Sequence, residues 1–111
     1  MAVTNATKLA ACNAAADRGS WVAVFTNAAG TTGANEATGG SYARKQTSWS
    51  DSTNKVVGTE VNIPVAAGTY KEAGIFSAST SGTFVGSGPF DGGDVVVAGA
   101  GASIDVTITW S

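Results

Sequence analysis

Two aspartates in a glycine-rich stretch, Asp91-Gly92-Gly93-Asp94, are the residues whose spacing best suits a chemical role. Carboxylate oxygens held close together in a turn are ligands that Ca²⁺ accepts. The calcium loop of an EF-hand needs further acidic residues, which this stretch does not have. Asp and Gly are also ordinary turn-forming residues. Asp91 and Asp94 are therefore weak candidates for a metal site, and a plain turn is the simpler interpretation.

The side chains that most enzymes rely on are scarce in this chain. It has no histidine and a single cysteine, Cys12, which we interpret as a small buried apolar residue. Without histidine, neither a Ser-His-Asp nor a Cys-His triad can form. A carboxylate pair for glycoside hydrolysis could be drawn from Glu36, Glu60 and Glu72, but their spacing does not indicate one. The sequence predicts neither an enzyme nor a bound cofactor.

Three tryptophans, Trp21, Trp49 and Trp110, could form a platform on which a sugar ring stacks. In a domain of this size, however, aromatic side chains supply much of the buried surface. We therefore favour a role for them in the core or at an interface.

The composition is that of one small domain with few charges. A chain of 111 residues is long enough for one core, so residues 1–111 are expected to form a single unit. Because only 13% of the residues are charged, most of the polar surface must come from Ser, Thr and Asn. Such a surface can be covered by neighbouring molecules, which is a weak indication of an assembly component.

The charge pattern argues against two classes of partner. The net charge is −2 and the six basic residues are scattered, whereas nucleic-acid binding usually needs a basic patch. The chain has no apolar stretch of the roughly 18 residues that a membrane span needs. Its first residues also lack the pattern of a signal peptide. We therefore expect no nucleic-acid or membrane partner, and synthesis in a cytosol.

The element around which the rest is arranged is a β-hairpin over residues 68–88. Two apolar runs flank a polar tip at residues 79–82, where Gly82 can supply a positive φ. Ile75 and Phe76 are adjacent, so in a strand they point to opposite faces. Both faces then need covering, which predicts a central strand.

An alanine-rich helix is predicted over residues 2–18. Thr4 or Asn5 can cap its start, and Gly19 stands where a left-handed C-terminal cap belongs. Helical spacing places four side chains on the face that would meet the sheet, with Val3 leading in. These four residues are Ala6, Leu9, Ala10 and Asn13.

The remaining pattern is typical of an antiparallel β-sandwich of about seven strands. In residues 20–26, Trp21 and Phe25 share one face, and the valines at 22 and 24 share the other. Further strands are predicted at 41–50, 55–63, 95–97 and 103–110, with a turn at 99–101. The loop over residues 27–40 is longer than a typical connection, so we expect it to be either mobile or ordered by a neighbour.

The order of the segments carries a family resemblance. The alanine-rich helix precedes SWVAVFT (20–26), and a Gly/Thr loop precedes SYARKQTSW (41–49). VNIPVAAGTYKEAGIFSASTSGTFVGSG (61–88) follows, and DVTITWS (105–111) comes last. This order resembles the small β-sandwich proteins of tailed phages, especially those of actinobacterial hosts. These proteins are labelled tail-fibre, minor tail or head-decoration proteins.

The resemblance implies a structural protein of the virion and carries no catalytic residues with it. A fibre shaft would need repeats or heptads, which the chain does not have. A compact domain that coats a lattice in many copies needs only one fold. We therefore favour a capsid decoration protein on the head. The alternative is a tail-fibre or minor tail protein with a host-surface or carbohydrate-binding role.

In either case the helix, the long loop or both are expected to contact the particle. The protein would be made in the bacterial host cytoplasm and located in the virion, and its partners would be the major capsid protein or tail proteins of the same virion. A homo-oligomer is expected as well, because phage particles are symmetric. The candidate interface residues are Val3, Leu9, Thr31, Thr32, Asn35 and Glu36.

Overall fold

The structure is a computed structural model that describes residues 1–99 and 102–111. It confirms the predicted fold class, a mainly antiparallel β protein with one short helix. Several predicted strands are divided into two, and the turn predicted at 99–101 lies partly outside the described residues. No described helix has the length and apolar character to cross a membrane. The elements are α1 (Asn5–Ala16), β1 (Trp21–Phe25), β2 (Lys45–Gln46), β3 (Trp49–Asp51), β4 (Val56–Gly58), β5 (Val61–Pro64), β6 (Gly68–Tyr70), β7 (Glu72–Phe76), β8 (Phe84–Pro89), β9 (Val95–Val97), β10 (Ser103–Val106) and β11 (Thr109–Trp110).

The first layer is a four-stranded sheet in the order β2-β1-β7-β8. β1 and β7 are interior strands and pair antiparallel, with Val22 opposite Ile75. This matches the expectation from their apolar faces. Gly82 at the hairpin tip has a φ of 75°, as its place in the turn predicts.

The second layer is built from two long antiparallel runs. β10 pairs with β5, and β11 pairs with β4, whose other edge pairs with β3. Residues 45–51 pass from the first layer to the second: the Thr47 N–H donates to the Ser20 carbonyl, and the Thr59 N–H donates to the Ser48 carbonyl. One side of the sandwich is therefore closed by a shared, bent segment.

The main core lies between these two layers. Val22, Val24 and Ile75 from the first layer meet Ile63 and Ile104 from the second, and all five are buried. Phe76 points to the opposite face, as its position next to Ile75 predicts. There it joins Phe25 in a second apolar cluster. The long loop covers this outer face.

Helix α1 packs on the second layer through a face that differs from the predicted one. Cys12 and Ala16 are buried against Val56, and of the predicted stripe Leu9 packs with them, while Ala6 and Ala10 are exposed. The buried face therefore follows Leu9, Cys12 and Ala16, which places the two largest apolar side chains of the helix towards Val56 and removes the most apolar surface from water.

The two ends of α1 compare differently with the prediction. Thr4 is the N-cap, and its hydroxyl accepts a hydrogen bond from the Thr7 N–H, as predicted. Gly19 is not the C-cap, since the cap is Asp17 in a right-handed conformation. Gly19 is required instead by close packing, because a Cβ there would lie 2.5 Å from the carbonyl oxygen of Phe76.

Candidate interaction surface at the loop and hairpin

The long loop lies on the outer face of the first sheet and covers its aromatic side chains. Ala29 is buried there with Phe25 and Phe76. Gly33 has a φ of 75°, and a Cβ at this position would lie 2.9 Å from ring atoms of both Phe76 and Phe84. A glycine is therefore needed for the loop to approach the rings this closely. The loop packs on its own chain, so no neighbouring molecule is needed to hold it against the sheet.

Backbone hydrogen bonds hold the loop at both ends. The Ala37 N–H donates to the Val24 carbonyl at 2.9 Å, which continues the edge of β1. At the start of the loop, the Ala29 N–H donates to Glu72 Oε1 at 3.1 Å, and this oxygen also accepts from the Ser87 hydroxyl. Glu72 therefore ties the loop to strands β7 and β8.

Arg44 is the side chain that locks the end of the loop. Its Nε donates to Glu36 Oε2 at 2.7 Å, and its Nη2 donates to Glu36 Oε1 at 2.8 Å. Such two-pronged pairing is the strongest arrangement of a guanidinium and a carboxylate. The Cζ of Arg44 also lies 3.6 Å from the centre of the Phe76 ring, a cation–π contact.

The same guanidinium holds the tip of the hairpin. Its Nη1 donates to the Ala78 carbonyl at 2.9 Å and to the Ser81 carbonyl at 2.7 Å. Ser81 has a φ of 52°, an uncommon conformation for a residue other than glycine. Arg44 thus joins two separate segments into one unit. We call this unit, residues 26–44 and 77–83, the loop–hairpin end.

Burial and hydrogen bonding shift the ionisation of three groups in this unit. Burial alone would raise the pKa of Glu36, but hydrogen bonds from Arg44 and Tyr42 together with the Arg44 charge lower it below its ordinary value. Burial and the hydrogen bond donated to Glu36 raise the pKa of the Tyr42 hydroxyl. The hydrogen bonds to Glu36 raise the pKa of Arg44. At neutral pH the unit holds an ionised pair.

This ionisation predicts a loss of stability in acid. The Glu36 pKa is lower in the folded chain than its ordinary value of 4.5, so folding favours the ionised carboxylate. The stabilisation is complete above 4.5 and is lost as the pH falls through the folded pKa. We expect Glu36→Gln to flatten the decline of the free energy of unfolding in this range, measured by urea denaturation at a series of pH values.

The matched control for the acid experiment is Glu60→Gln, because Glu60 is an exposed glutamate on the second layer. This variant should keep the slope of the wild-type protein. Parallel curves for the wild-type protein and Glu36→Gln would contradict a coupling between folding and the ionisation of Glu36.

The predicted interface residues are found in three different settings. In the loop, Thr31, Thr32 and Asn35 are exposed. Glu36 is engaged within its own chain, and its side chain is 23% exposed. Val3 precedes the helix and is 51% exposed, whereas Leu9 packs inward. The three exposed residues therefore lie in the same loop, and Val3 and Leu9 are not part of their surface.

The acidic residues considered for chemistry are used mainly for structure. Asp94 accepts a hydrogen bond from Lys71 Nζ at 3.2 Å, and Asp91 is exposed. Glu36 and Glu72 hold the loop, as described above. In the part of the chain that is described, no three metal-ligating side chains come together.

The three tryptophans are not assembled into one platform. Trp21 packs at the border of the aromatic cluster on the outer face. Trp49 and Trp110 lie on the second layer beside Val56, and Trp49 Nε1 donates to the Gly19 carbonyl at 3.2 Å.

Tyr42 and Arg44 belong to the SYARKQTSW segment that carries the family resemblance, but neither was among the candidate interface residues. The available signal was charge: Glu36 is the one charged residue between positions 27 and 40, and Arg44 follows eight positions later. In a chain with few charges, the single acid of this loop and the adjacent bases Arg44 and Lys45 are reasonable candidates for an ion pair. The partners of the Arg44 Nη1 atom at the hairpin tip were not predictable, since they are backbone carbonyls far along the chain.

Comparison with known proteins identifies the family. Searches of curated protein sequences and of solved structures give no match. Residues 3–109 match the family described as podophage GP4 fiber I protein gp80. The match spans nearly the whole chain, including α1, both layers of the sandwich and the loop–hairpin end. The chain therefore belongs to the podophage GP4 fiber I protein gp80 family of phage virion proteins.

Proposed function

We propose that the protein is a subunit of a phage tail fibre, and that its loop–hairpin end faces the host surface. The observation that carries this proposal is the match of residues 3–109 to a fibre protein family. It favours the tail alternative over head decoration. The lack of repeats and heptads fits a compact domain placed at an end or branch of a fibre, rather than the shaft itself.

The chemistry of the loop–hairpin end supports a role in contact with a polar, uncharged surface. Its exposed side chains are small and carry hydroxyl or amide groups, as at Thr31, Thr32, Asn35 and tip residues 79–81. The two charges within it, on Glu36 and Arg44, neutralise each other. Neutral polysaccharides present the matching hydrogen-bond donors and acceptors.

Rigidity of the loop–hairpin end supports the same role. Binding costs less conformational entropy when the contacting segments are already ordered. The loop is packed on Phe76 and Phe84, and the tip is held by Arg44, so both segments are in place before any partner arrives.

The proposed role does not include catalysis. Two of the three glutamates considered for hydrolysis are hydrogen-bonded within the fold, Glu36 to Arg44 and Glu72 to the Ala29 N–H. A catalytic acid or base must instead be free to exchange a proton with its substrate.

Immunogold electron microscopy of purified virions tests the location. An antibody against the folded protein should label the tail. Label spread over the head would overturn the proposal in favour of head decoration, and absence of label from particles opened under mild conditions would also contradict it.

The host-facing role can be tested with a charged loop. We expect phage carrying Thr31→Glu and Thr32→Glu to adsorb to cells at least tenfold more slowly, because two charges would have to be desolvated at the contact. Thr69→Glu, at an exposed threonine of β6, is the matched control and should adsorb normally. Equal adsorption of both variants would exclude the loop from the contact.

A further inference from the structure

The sandwich is closed on one side and open on the other. Residues 45–51 join the two layers at β2 and β3, whereas β8 and the β10–β11 run form the opposite borders. Among the residues that the structure describes, β8 pairs only with β7, and β10 and β11 pair only with β5 and β4. Within residues 1–99 and 102–111, each of these borders has a row of backbone groups without a strand partner. Native proteins usually cover or pair such edges.

A groove of about 370 Å³ follows this open side. We call it the seam groove, lined by residues 73–75, 86–91 and 105–111. Its volume lies within the range of ligand-binding pockets, about 300–1,000 Å³. Because strand edges form both of its walls, its shape suits an extended polypeptide better than a compact small molecule.

One wall of the seam groove contains an unsatisfied hydrogen-bond donor. Trp110 Nε1 is buried, and it has no hydrogen-bond partner among the residues that the structure describes. The indole lies against Gly86, where a Cβ would be 3.0 Å from the ring. The Trp110 side chain therefore fills the space between β11 and β8, and the backbones of these two strands are not paired with each other. Few buried donors stay unpaired in native proteins, so the hydrogen bonding of this wall is incomplete in the free chain.

The charge of the seam groove selects the kind of partner. Asp91 and Asp105 line it, and no Lys or Arg is among its lining residues. Asp105 accepts one hydrogen bond from the Asn62 side chain at 2.8 Å, and as an ionised carboxylate it has further acceptor capacity. A basic side chain in the added segment would complement these two acids.

A second copy of this chain does not supply such a segment. All six basic residues of the chain lie within its described part, and Lys45 is the one that lies in a strand, of two residues. Arg44 is held by Glu36, and Lys71 is paired with Asp94. The fitting occupant is therefore a different polypeptide.

We infer that the seam groove binds an extended segment of another virion polypeptide that carries Lys or Arg and adds as a strand between β8 and β10–β11. Backbone hydrogen bonds to the two edges supply affinity, and Asp91 and Asp105 supply the preference for a basic residue. The inference rests on the virion role of the family and not on the tail location. A capsid protein in the groove would overturn the proposed fibre role and leave this inference intact.

Hydrogen exchange on intact virions and on the isolated full-length chain tests the strand addition. We expect those amides of residues 86–88 and 107–110 that point away from β7 and β4 to exchange at least tenfold more slowly in the virion. The amides of exposed Thr31 and Thr32 serve as the control for general burial. Unchanged exchange, or slower exchange at one wall alone, would overturn the inference.

Photo-crosslinking identifies the occupant. Benzoylphenylalanine at Thr107, an exposed lining residue, should couple in the virion to a Lys- or Arg-containing peptide of a different protein. Coupling to a second copy alone, or to glycan alone, would overturn the inference.

Charge reversal tests the role of the acids. We expect Asp105→Lys to reduce incorporation into particles at least tenfold, measured by complementation of a phage that lacks the gene. Asp51→Lys, which changes an exposed acid outside the groove, should be incorporated normally. Equal incorporation of the two variants would rule out selection by charge.

Discussion

Arg44→Met should lower the free energy of unfolding by about 3 kcal/mol or more, the usual scale for breaking a largely buried ion pair. The Arg44 side chain is 7% exposed, so its guanidinium is shielded from water. The substitution removes both bonds to Glu36 and both bonds to the hairpin tip. It also leaves the carboxylate of Glu36 in a partly buried site without its cation.

The loss should be largest for Met and smaller for Lys. Arg44→Lys keeps the positive charge, but an ammonium group cannot reproduce the planar fork that reaches Glu36 and the two carbonyls together. We expect a loss of about 1.5–3 kcal/mol for Arg44→Lys, the scale of a lost hydrogen bond to a charged group. Lys45→Met is the matched control, because Lys45 is the exposed neighbour, and a change within about 0.5 kcal/mol is expected.

A second substitution distinguishes the contribution of the Glu36–Arg44 ion pair from that of the other Arg44 contacts. Because Arg44→Met leaves an uncompensated acid, adding Glu36→Gln should cost nothing further and should recover part of the loss at neutral pH. Chemical denaturation of both single variants and of the double variant gives the coupling energy. Losses that simply add would show that Glu36 and Arg44 act independently.

Hydrogen exchange distinguishes a shared unit from two separate contacts. In Arg44→Met, the amides of loop residues 34–37 and of tip residues 79–82 should both exchange faster, because one guanidinium restrains both segments. Faster exchange at the tip with an unchanged loop would contradict the loop–hairpin end as a single unit.

The parts of the fold that were predictable are those fixed by local pattern. Alternating faces around Ile75 and Phe76, and apolar faces on both sides of β1, correctly predicted two central strands covered on both sides. The N-cap at Thr4 and the positive φ at Gly82 were also predictable, since both depend on one or two neighbouring residues.

The features that were not predictable depend on contacts between distant segments. The role of Gly19 is set by the carbonyl of Phe76, and nothing near Gly19 in sequence indicates it. Likewise, the long loop has the composition of a mobile segment, yet Arg44 and the aromatic cluster order it. A polar, glycine-rich sequence permits mobility without requiring it, because the packing partner decides the outcome.

The candidate interaction surface was also only partly predictable from the sequence. Thr31, Thr32 and Asn35 were identified from loop composition, and all three are exposed in the same loop. The hairpin tip beside them was missed, because its proximity depends on the bonds from Arg44 to Ala78 and Ser81. The groove on the open side of the sandwich was missed for a similar reason, since it requires knowing which strand edges are left over after pairing.

Phe25→Ala should destabilise the protein by about 3–5 kcal/mol, the range measured for large aromatic truncations in cores. Phe25 is 0% exposed and lies at the centre of the aromatic cluster. Its ring centre is 6.1 Å from that of Phe76 and 5.9 Å from that of Phe84. The ring also lies across Gly74, where a Cβ would be 3.0 Å from Phe25 Cε2.

The neighbours of Phe25 cannot easily fill the space that its ring leaves. Gly74 has no side chain to contribute, and Phe76 is held in place by the guanidinium of Arg44 above its ring. A cavity that persists adds its own cost to the lost transfer free energy. Phe90→Ala, at a half-buried phenylalanine outside this cluster, is the matched control and should cost less.

The consequence of Phe25→Ala for the candidate surface follows from its position beneath the loop. The loop rests on the aromatic cluster around Phe25, so we expect the loop amides to lose more protection from hydrogen exchange than the drop in global stability explains. The amides of β5 and β10 should lose only the protection that corresponds to the lower global stability. Urea denaturation and residue-level exchange on the same samples measure both. A loss below about 1.5 kcal/mol with an unaffected loop would mean that the backbone bonds, from Ala37 to Val24 and from Ala29 to Glu72, hold the loop without the rings. In that case the surface would depend on its hydrogen bonds, and the aromatic cluster would serve the sheet alone.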